Sequence, residues 1–399
     1  MSLRWAGAAG INSITFGLEW PGVTSTPTID TTYVRANGTS WRIAPGATKQ
    51  VQHTTYATGQ GVHYYRIYIS IISDTATSVQ FITLNNSSNV KLGFTVFANS
   101  TLQLTNIEDS VQVGATSVAL SNEQWYRLEL MVDDTTLSAT SVEARLYWAG
   151  DESTLLWNPS GTMNLAAAPN RFTVKNSNDG NLDFAFTDVV LIESDATAPN
   201  TWAGPGSIMY LRPNGNSGSP QWARGGTDSG ANWSQVDENP PNDVTDYVES
   251  NTNNQIDDYT LEDPSHATLT ANAKINWVAP YVRFAISNTT GADPDFVLRV
   301  TANGVTEESG NVSGAGSTSY AAYQTSPANV FPLVLTNMPG SSVEPWTKAD
   351  LTGATLGIRE TATDTHLARV SALALLFDFQ PGYAPPIFQK HTHYMWRSK

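Results

Sequence analysis

Between Asn232 and Asn251 the chain reads NWSQVDENPPNDVTDYVESN, with five carboxylates, Asp237, Glu238, Asp243, Asp246 and Glu249, around a double proline. Carboxylates at this density can hold a hard cation, act as an acid–base pair, or tie down backbone amides in a turn. An EF-hand calcium loop needs acids at alternating positions and a glycine at the bend. Here Asp237 and Glu238 adjoin, and Pro240 and Pro241 occupy the bend, so that pattern fails. A different Ca²⁺ set, from Asp243, Asp246 and backbone carbonyls, stays open. Glycoside hydrolysis requires two carboxylates roughly 5 to 9.5 Å apart in a sugar cleft. Asp237 and Asp243 could be brought to that distance, but clustering in sequence does not establish it. Prolines fix φ and extend the residue before them, while Asp and Asn cap turn amides. With Trp233 and Tyr247 as pins, the stretch is expected to be an ordered corner or lid.

Other chemistry-bearing letters are sparser. NSNDGNLD (176–183) offers oxygen donors, with Asp179 and Asp183 as metal candidates, but its central Asp-Gly pair equally predicts a type I′ hairpin turn. Six histidines are scattered, and only His391 and His393 share one side of an extended segment, without further ligands nearby. No Gly-x-Ser-x-Gly elbow and no phosphate-cradling loop occurs. The chain is therefore read as non-enzymatic, with no cofactor beyond Ca²⁺. Of the twelve tryptophans, Trp125, Trp148 and Trp277 are expected in the core. Trp222, Trp233 and Trp346 lie in Gly/Pro/Asp-rich loops and, with Tyr247, are the candidates for stacking on a sugar or docking a partner.

These residues need a frame, and the composition indicates which kind. Only 14% of the 399 residues are charged, and Gly, Pro, Ser, Thr and Asn fill the connecting positions, the balance of strands joined by turns. Period-two runs recur: VHYYRIYISII (62–72), VQFITL (79–84), KLGFTVF (91–97), WYRLELMV (125–132), VEARLYWAG (142–150) and LDFAFTDVVLIE (182–193). After a Pro-rich break, a second series follows: SIMYLRP (207–213), DYTLED (258–263), AKINWVAPYVRFAIS (273–287), DFVLRVTANG (295–304), VFPLVLTNM (330–338), ATLGIRE (354–360) and LARVSALALLFDF (367–379). No segment of 12 residues has a helical period. The expected fold is all-β: two tandem jelly-roll-like β-sandwiches over 1–195 and 196–380, and an extended tail over 381–399.

Charge separates the tail from the body. Residues 1–195 carry 10 basic and 17 acidic side chains, residues 196–380 carry 8 and 19, and residues 381–399 carry 3 and none. An acidic body repels phosphate, which argues against nucleic acid as a partner. In the basic, proline-rich tail, Phe388, Lys390, Tyr394, Trp396 and Arg397 are the candidates for docking a neighbouring protein. No cysteine is present, so disulfides and thiolate metal sites are excluded. The N-terminus lacks a signal-peptide apolar region and no run nears the roughly 18 apolar residues of a membrane helix. A soluble protein made in the cytoplasm is expected, with no membrane insertion.

Two resemblances add to this reading. ITFGLEW (14–20), TSWRI (39–43), VHYYRIYISII and NEQWYRLELMVD (122–133) followed by VEARLYWAG resemble, in that order, the laminin-G or concanavalin-like jelly roll over about half the chain. Such jelly rolls often hold Ca²⁺ at a rim, and their laminarinase-like glycosidases carry Glu-x-Asp-x-x-Glu on one strand, a run missing here. In the second half, YLRPNGN (210–216), ANWSQVDENPPNDVTDYV (231–248) and EPWTKADLTGATLGI (344–358) look like a domain of minor structural and tail proteins of tailed bacteriophages. That resemblance implies a virion location, other virion proteins as partners and a closed homo-oligomer. It brings no catalytic residues. The jelly-roll resemblance implies a second function, recognition of a host surface glycan.

Overall fold

The computed structural model describes residues 3–7, 27–35, 39–45, 49–53, 61–73, 78–86, 89–176, 182–194, 201–238, 241–265, 268–288, 295–313, 318–322 and 331–381. Alternation along the strands places them. In Trp125–Asp133 the residues Tyr126, Leu128, Leu130 and Val132 enter the first hydrophobic core. Its neighbours across the ladder are Val62–Ser73 and Thr140–Trp148, both antiparallel. These belong to a nine-stranded sheet that faces a six-stranded sheet built on Val79–Asn86, Asn89–Val96 and Arg171–Asn176. The chain is thus all-β, and the two sheets bury alternate residues of each strand against one another.

A second pair of six-stranded sheets is drawn from strands after Ser207. One centres on Lys274–Ile286 and Ala368–Gln380, the other on Asp295–Ala302 and Thr355–Glu360. Along Ala368–Gln380 the core-facing set is Ala368 and Val370, then Leu373, Leu375, Phe377 and Phe379. The phase changes because Arg283 pairs Ala372 while Phe284 pairs Val370, leaving Ser371 as the extra residue of a β-bulge. Ala374 and Leu376 then point out of this sandwich, where they join Val190 and Ile192 of the first. The four sheets therefore stack, with a third, smaller core between the two sandwiches.

Three expectations are corrected. Arg171–Asn176 pairs in the six-stranded sheet and Asp183–Ser194 in the nine-stranded one, so these two strands are not the arms of one hairpin; the Asp-Gly pair itself lies outside the described residues. VFPLVLTNM forms no strand where it is described; Leu335 makes a single bridge to Val278, and the segment packs as a coil between cores. Trp148, expected in the core, is 42% exposed at the end of its strand. The one α-helix among the described residues, Lys348–Thr352, is too short for a period to show and is set by a capping box between Thr347 and Asp350. No described helix is long and apolar enough to cross a membrane.

Candidate functional site

The acidic stretch folds as a corner of the second sandwich. Asn232–Gln235 is a 3-10 turn, and the Asn232 side chain donates to the carbonyl of Trp222 (2.8 Å) and to Asp257 (2.7 Å). Val236 is fully buried, and its carbonyl accepts from the Leu373 amide at 2.8 Å, pinning the turn to the long strand. Asp243 accepts from Arg283 Nε (2.8 Å) and from the bulged Ser371 hydroxyl (2.7 Å). Glu249 accepts from Arg369 at 2.9 Å. Two of the five carboxylates are thereby ion-paired, which fits the ordered-corner expectation.

The remaining three, Asp237, Glu238 and Asp246, gather at one side. Asp246 is 5% exposed; one oxygen accepts from the Thr245 hydroxyl at 2.8 Å and the other, Oδ1, has no hydrogen-bond partner. Glu238 accepts from the Asn242 amide at 3.2 Å, and the Asn242 carbonyl accepts from the Asp246 backbone amide at 3.1 Å, so Asn242 ties the Glu238 carboxylate to the start of the Asp246 strand. Burial, and then contact with the Asp246 carboxylate, pushes the Glu238 carboxyl up to about 7. Burial also raises Asp237, opposed by the Arg212 guanidinium. Arg212 itself is paired with Glu262 at 2.7 Å.

The other candidates sort differently. Trp222 and Trp346 are 3% and 1% exposed and belong to the second core, which corrects the expectation that they face a ligand. The Trp222 indole donates to the Gln255 carbonyl at 3.1 Å and meets Phe296 edge-on, so its loop serves to insert it. Trp233 is half-buried and packs against the same core. Tyr247 is half-buried above Gly225, where any Cβ would collide with its ring, and lies 5.0 Å from the Arg369 guanidinium. The four do not line one surface. Asp183 is held by Arg42 through two bonds of 2.6 and 2.9 Å, which withdraws it from metal binding. Asp179 and the docking residues Phe388, Lys390, Tyr394, Trp396 and Arg397 lie outside the described residues. Among the described residues no three His, Cys, Asp or Glu side chains converge as a ligand set.

Sequence reasoning missed the polar layer between the sandwiches. Arg66 and Asp378, both without solvent exposure, form a two-pronged ion pair at 2.8 and 2.9 Å across 312 positions of sequence. Arg66 alternates with the first-core residues Tyr65 and Ile67, and Asp378 with Phe377 and Phe379, so both necessarily point outward from their own sandwich. Around them, Arg35 bridges Asp188 and Glu152, Arg127 also reaches Glu152, and Glu129 accepts from the Gly204 amide at 2.6 Å. The visible signal was a lone charge inside each of two apolar runs, VHYYRIYISII and LALLFDF.

A groove of about 670 Å³ opens on the first sandwich, lined by Ser78, Phe97, Ala98, Asn99, Thr101 and Thr116. Its wall has hydroxyls, an amide and one aromatic ring, and no charge.

No protein-family model matches the chain, nor does any curated protein sequence. Solved structures resemble about half of it. An endo-β-1,4-glucuronan lyase from the fungus Trichoderma reesei is 10% identical, with 50% of this chain and 99% of that one covered and a TM-score of 0.35. The cellulose-induced protein Cip1 is 15% identical over 47% and 93%, TM-score 0.35. A PL-14 alginate lyase from Aplysia kurodai is 8% identical over 48% and 100%, TM-score 0.36. Likeness at this level bears on neither activity nor ligand.

Proposed function

We propose that the protein is a non-enzymatic structural component of a tailed-phage virion, on the tail, a fibre or the capsid surface, joined to its neighbours through residues 381–399. The observation that carries this reading is the use the structure makes of the two phage-like motifs. The Trp233 loop and the Trp346 turn insert Val236, Trp346 and Leu351 into one core, each at most 1% exposed. Their acids and caps go to packing the corner, as in a part whose task is to keep its shape. The buried ion layer between the sandwiches supports the same reading, since it couples them into one unit suited to carrying load. The test is a reconstruction of particles by electron microscopy, together with particles made with a chain lacking 381–399. Density for two stacked sandwiches on the particle, lost with the truncated chain, is the expected result. Unchanged incorporation of the truncated chain refutes tail docking, and particles lacking the protein refute the virion role.

A second reading, recognition of a neutral surface glycan, is favoured by the uncharged groove at Phe97. A ring face beside hydroxyls and an amide suits a sugar. A glycan array blank with and without Ca²⁺ removes it, as does binding unaffected by Phe97→Ala.

A further inference from the structure

The groove at Phe97 does not end at its lining residues. Val79, Val96 and Leu102 enter the first core, so Ser78, Phe97 and Thr101 beside them face outward, and two residues along the same strands Gln80, Thr95 and Gln103 face the same way. Gln80 pairs with Thr95 and Thr95 with Gln103, so these three form a row across the outer face of the six-stranded sheet, directly below the groove. On the other side of Val79–Asn86 lies Arg171–Asn176, where Val174 enters the core and pairs with Ile82. Lys175 therefore points outward and stands beside the bulged Phe81, next to Gln80 in the same row.

Lys175 is half-buried and makes neither an ion pair nor a hydrogen bond with a described residue. Burial pushes its ammonium down, with no neighbouring carboxylate to oppose the shift. Lys91, the other lysine of this face, is by contrast tied to Glu108 at 2.7 Å. The row that holds Lys175 is otherwise Gln50, Gln80, Thr95 and Gln103, without an acid, although residues 1–195 carry 17 acidic side chains against 10 basic. A partly desolvated cation with no counter-charge is stabilised by an anion that comes to meet it. With about 4.8 Å between strands and about 3.4 Å per residue along them, Lys175 and Phe97 stand roughly 12 Å apart at the backbone. A single sugar ring does not span that gap, and an oligosaccharide does.

We propose that the groove and the adjoining row form one binding surface for an oligosaccharide that carries an acidic sugar unit. A neutral ring lies on Phe97, the acidic group meets Lys175, and the amides of Gln80 and Gln103 serve the hydroxyls between them. The inference rests on the glycan reading of the groove and names its ligand class, extending it from a neutral ring to a charged chain.

The experiment uses the full chain on an array of oligosaccharides bearing uronate, sialate or sulfate, each spotted beside its neutral counterpart, with affinities for the pairs that bind then measured by calorimetry at low and high salt. The expected result is an acidic oligosaccharide bound at least tenfold more tightly than its neutral counterpart, with a preference that shrinks as salt rises. Lys175→Gln should abolish the preference and leave affinity for the neutral form unchanged, while Lys274→Gln, at an exposed lysine of the second sandwich, should keep it. Melting is measured in parallel, and Lys175→Gln is expected to melt no lower than the wild type, because it removes an uncompensated charge. Equal binding of acidic and neutral forms, or a preference that survives Lys175→Gln, overturns the inference and leaves the glycan reading standing. An array silent for both forms removes the two together.

Discussion

Asp378 is the residue on which the union of the two sandwiches should depend most. It has no solvent exposure and accepts three side-chain bonds, from Arg66 at 2.8 and 2.9 Å and from Asn276 at 2.9 Å. Asp378→Ala leaves the Arg66 guanidinium buried, with only the carbonyls of Gly204 (3.2 Å) and Asp188 (3.3 Å) as acceptors. Breaking one side of a buried pair costs about 3–5 kcal/mol, mostly because the surviving charge is left uncompensated. With an unfolding entropy of about 2.1 cal/mol/K per residue, a loss of about 4 kcal/mol lowers the midpoint by roughly 5 °C if the 399 residues melt together. The loss roughly doubles in degrees if one sandwich melts alone. Denaturant unfolding and calorimetry read the change, and because the pair is shielded from solvent the effect should persist in high salt. Arg66→Met with Asp378→Leu should recover most of the loss, since an apolar pair of similar volume removes both desolvated charges. A single Asp378→Ala costing less than about 1 kcal/mol, or a double variant no better than the single, refutes the claim that this pair locks the interface.

Further outcomes follow from other positions. Burial pushes the Glu360 carboxyl up from 4.5 to about 7, with Asp364 and Asp295 adding to the shift, so the folded state binds its proton more tightly than the unfolded chain. This group's contribution is therefore most favourable below about pH 4.5 and is lost as the pH rises towards 7; Glu360→Gln should flatten that slope and be the more stable chain at pH 8. Trp346→Ala removes a side chain 1% exposed from the second core and should cost about 3–5 kcal/mol; a stable fold that instead loses glycan binding would restore the ligand-facing reading. Gly226 has φ +81°, and a Cβ there would strike the backbone of Thr245, so Gly226→Ala should destabilise the corner by more than 1 kcal/mol, read by urea midpoint.

Much of the frame was legible from residue order. Period-two runs gave most strands to within a few residues, because a half-buried pleated strand shows its two faces as alternating letters. The alternation was weaker evidence for exposure. In WYRLELMV the face with Arg127 and Glu129 reads as the solvent side, yet these residues are 3% and 2% exposed. A polar face looks the same in sequence whether water or another sheet with matching charges covers it. The tryptophans failed for a related reason. Loop composition around Trp222 and Trp346 reports that the backbone turns there, while the direction of each indole follows from the core the turn overhangs.

By itself, then, the sequence determined an all-β chain with two sandwich-sized series of strands, an acidic body and a basic end, since these follow from local periodicity and summed charge. Only the tertiary structure decided which carboxylates of the 232–251 stretch are spent and which are left over. Arg283 is 40 positions from Asp243 and Ser371 is 128, and a single bulged residue turns Ser371 towards the corner. The same holds for Arg66 and Asp378. Pairing across such distances depends on strand register and sheet order, which are set by the packing of whole faces and leave no mark in neighbouring letters.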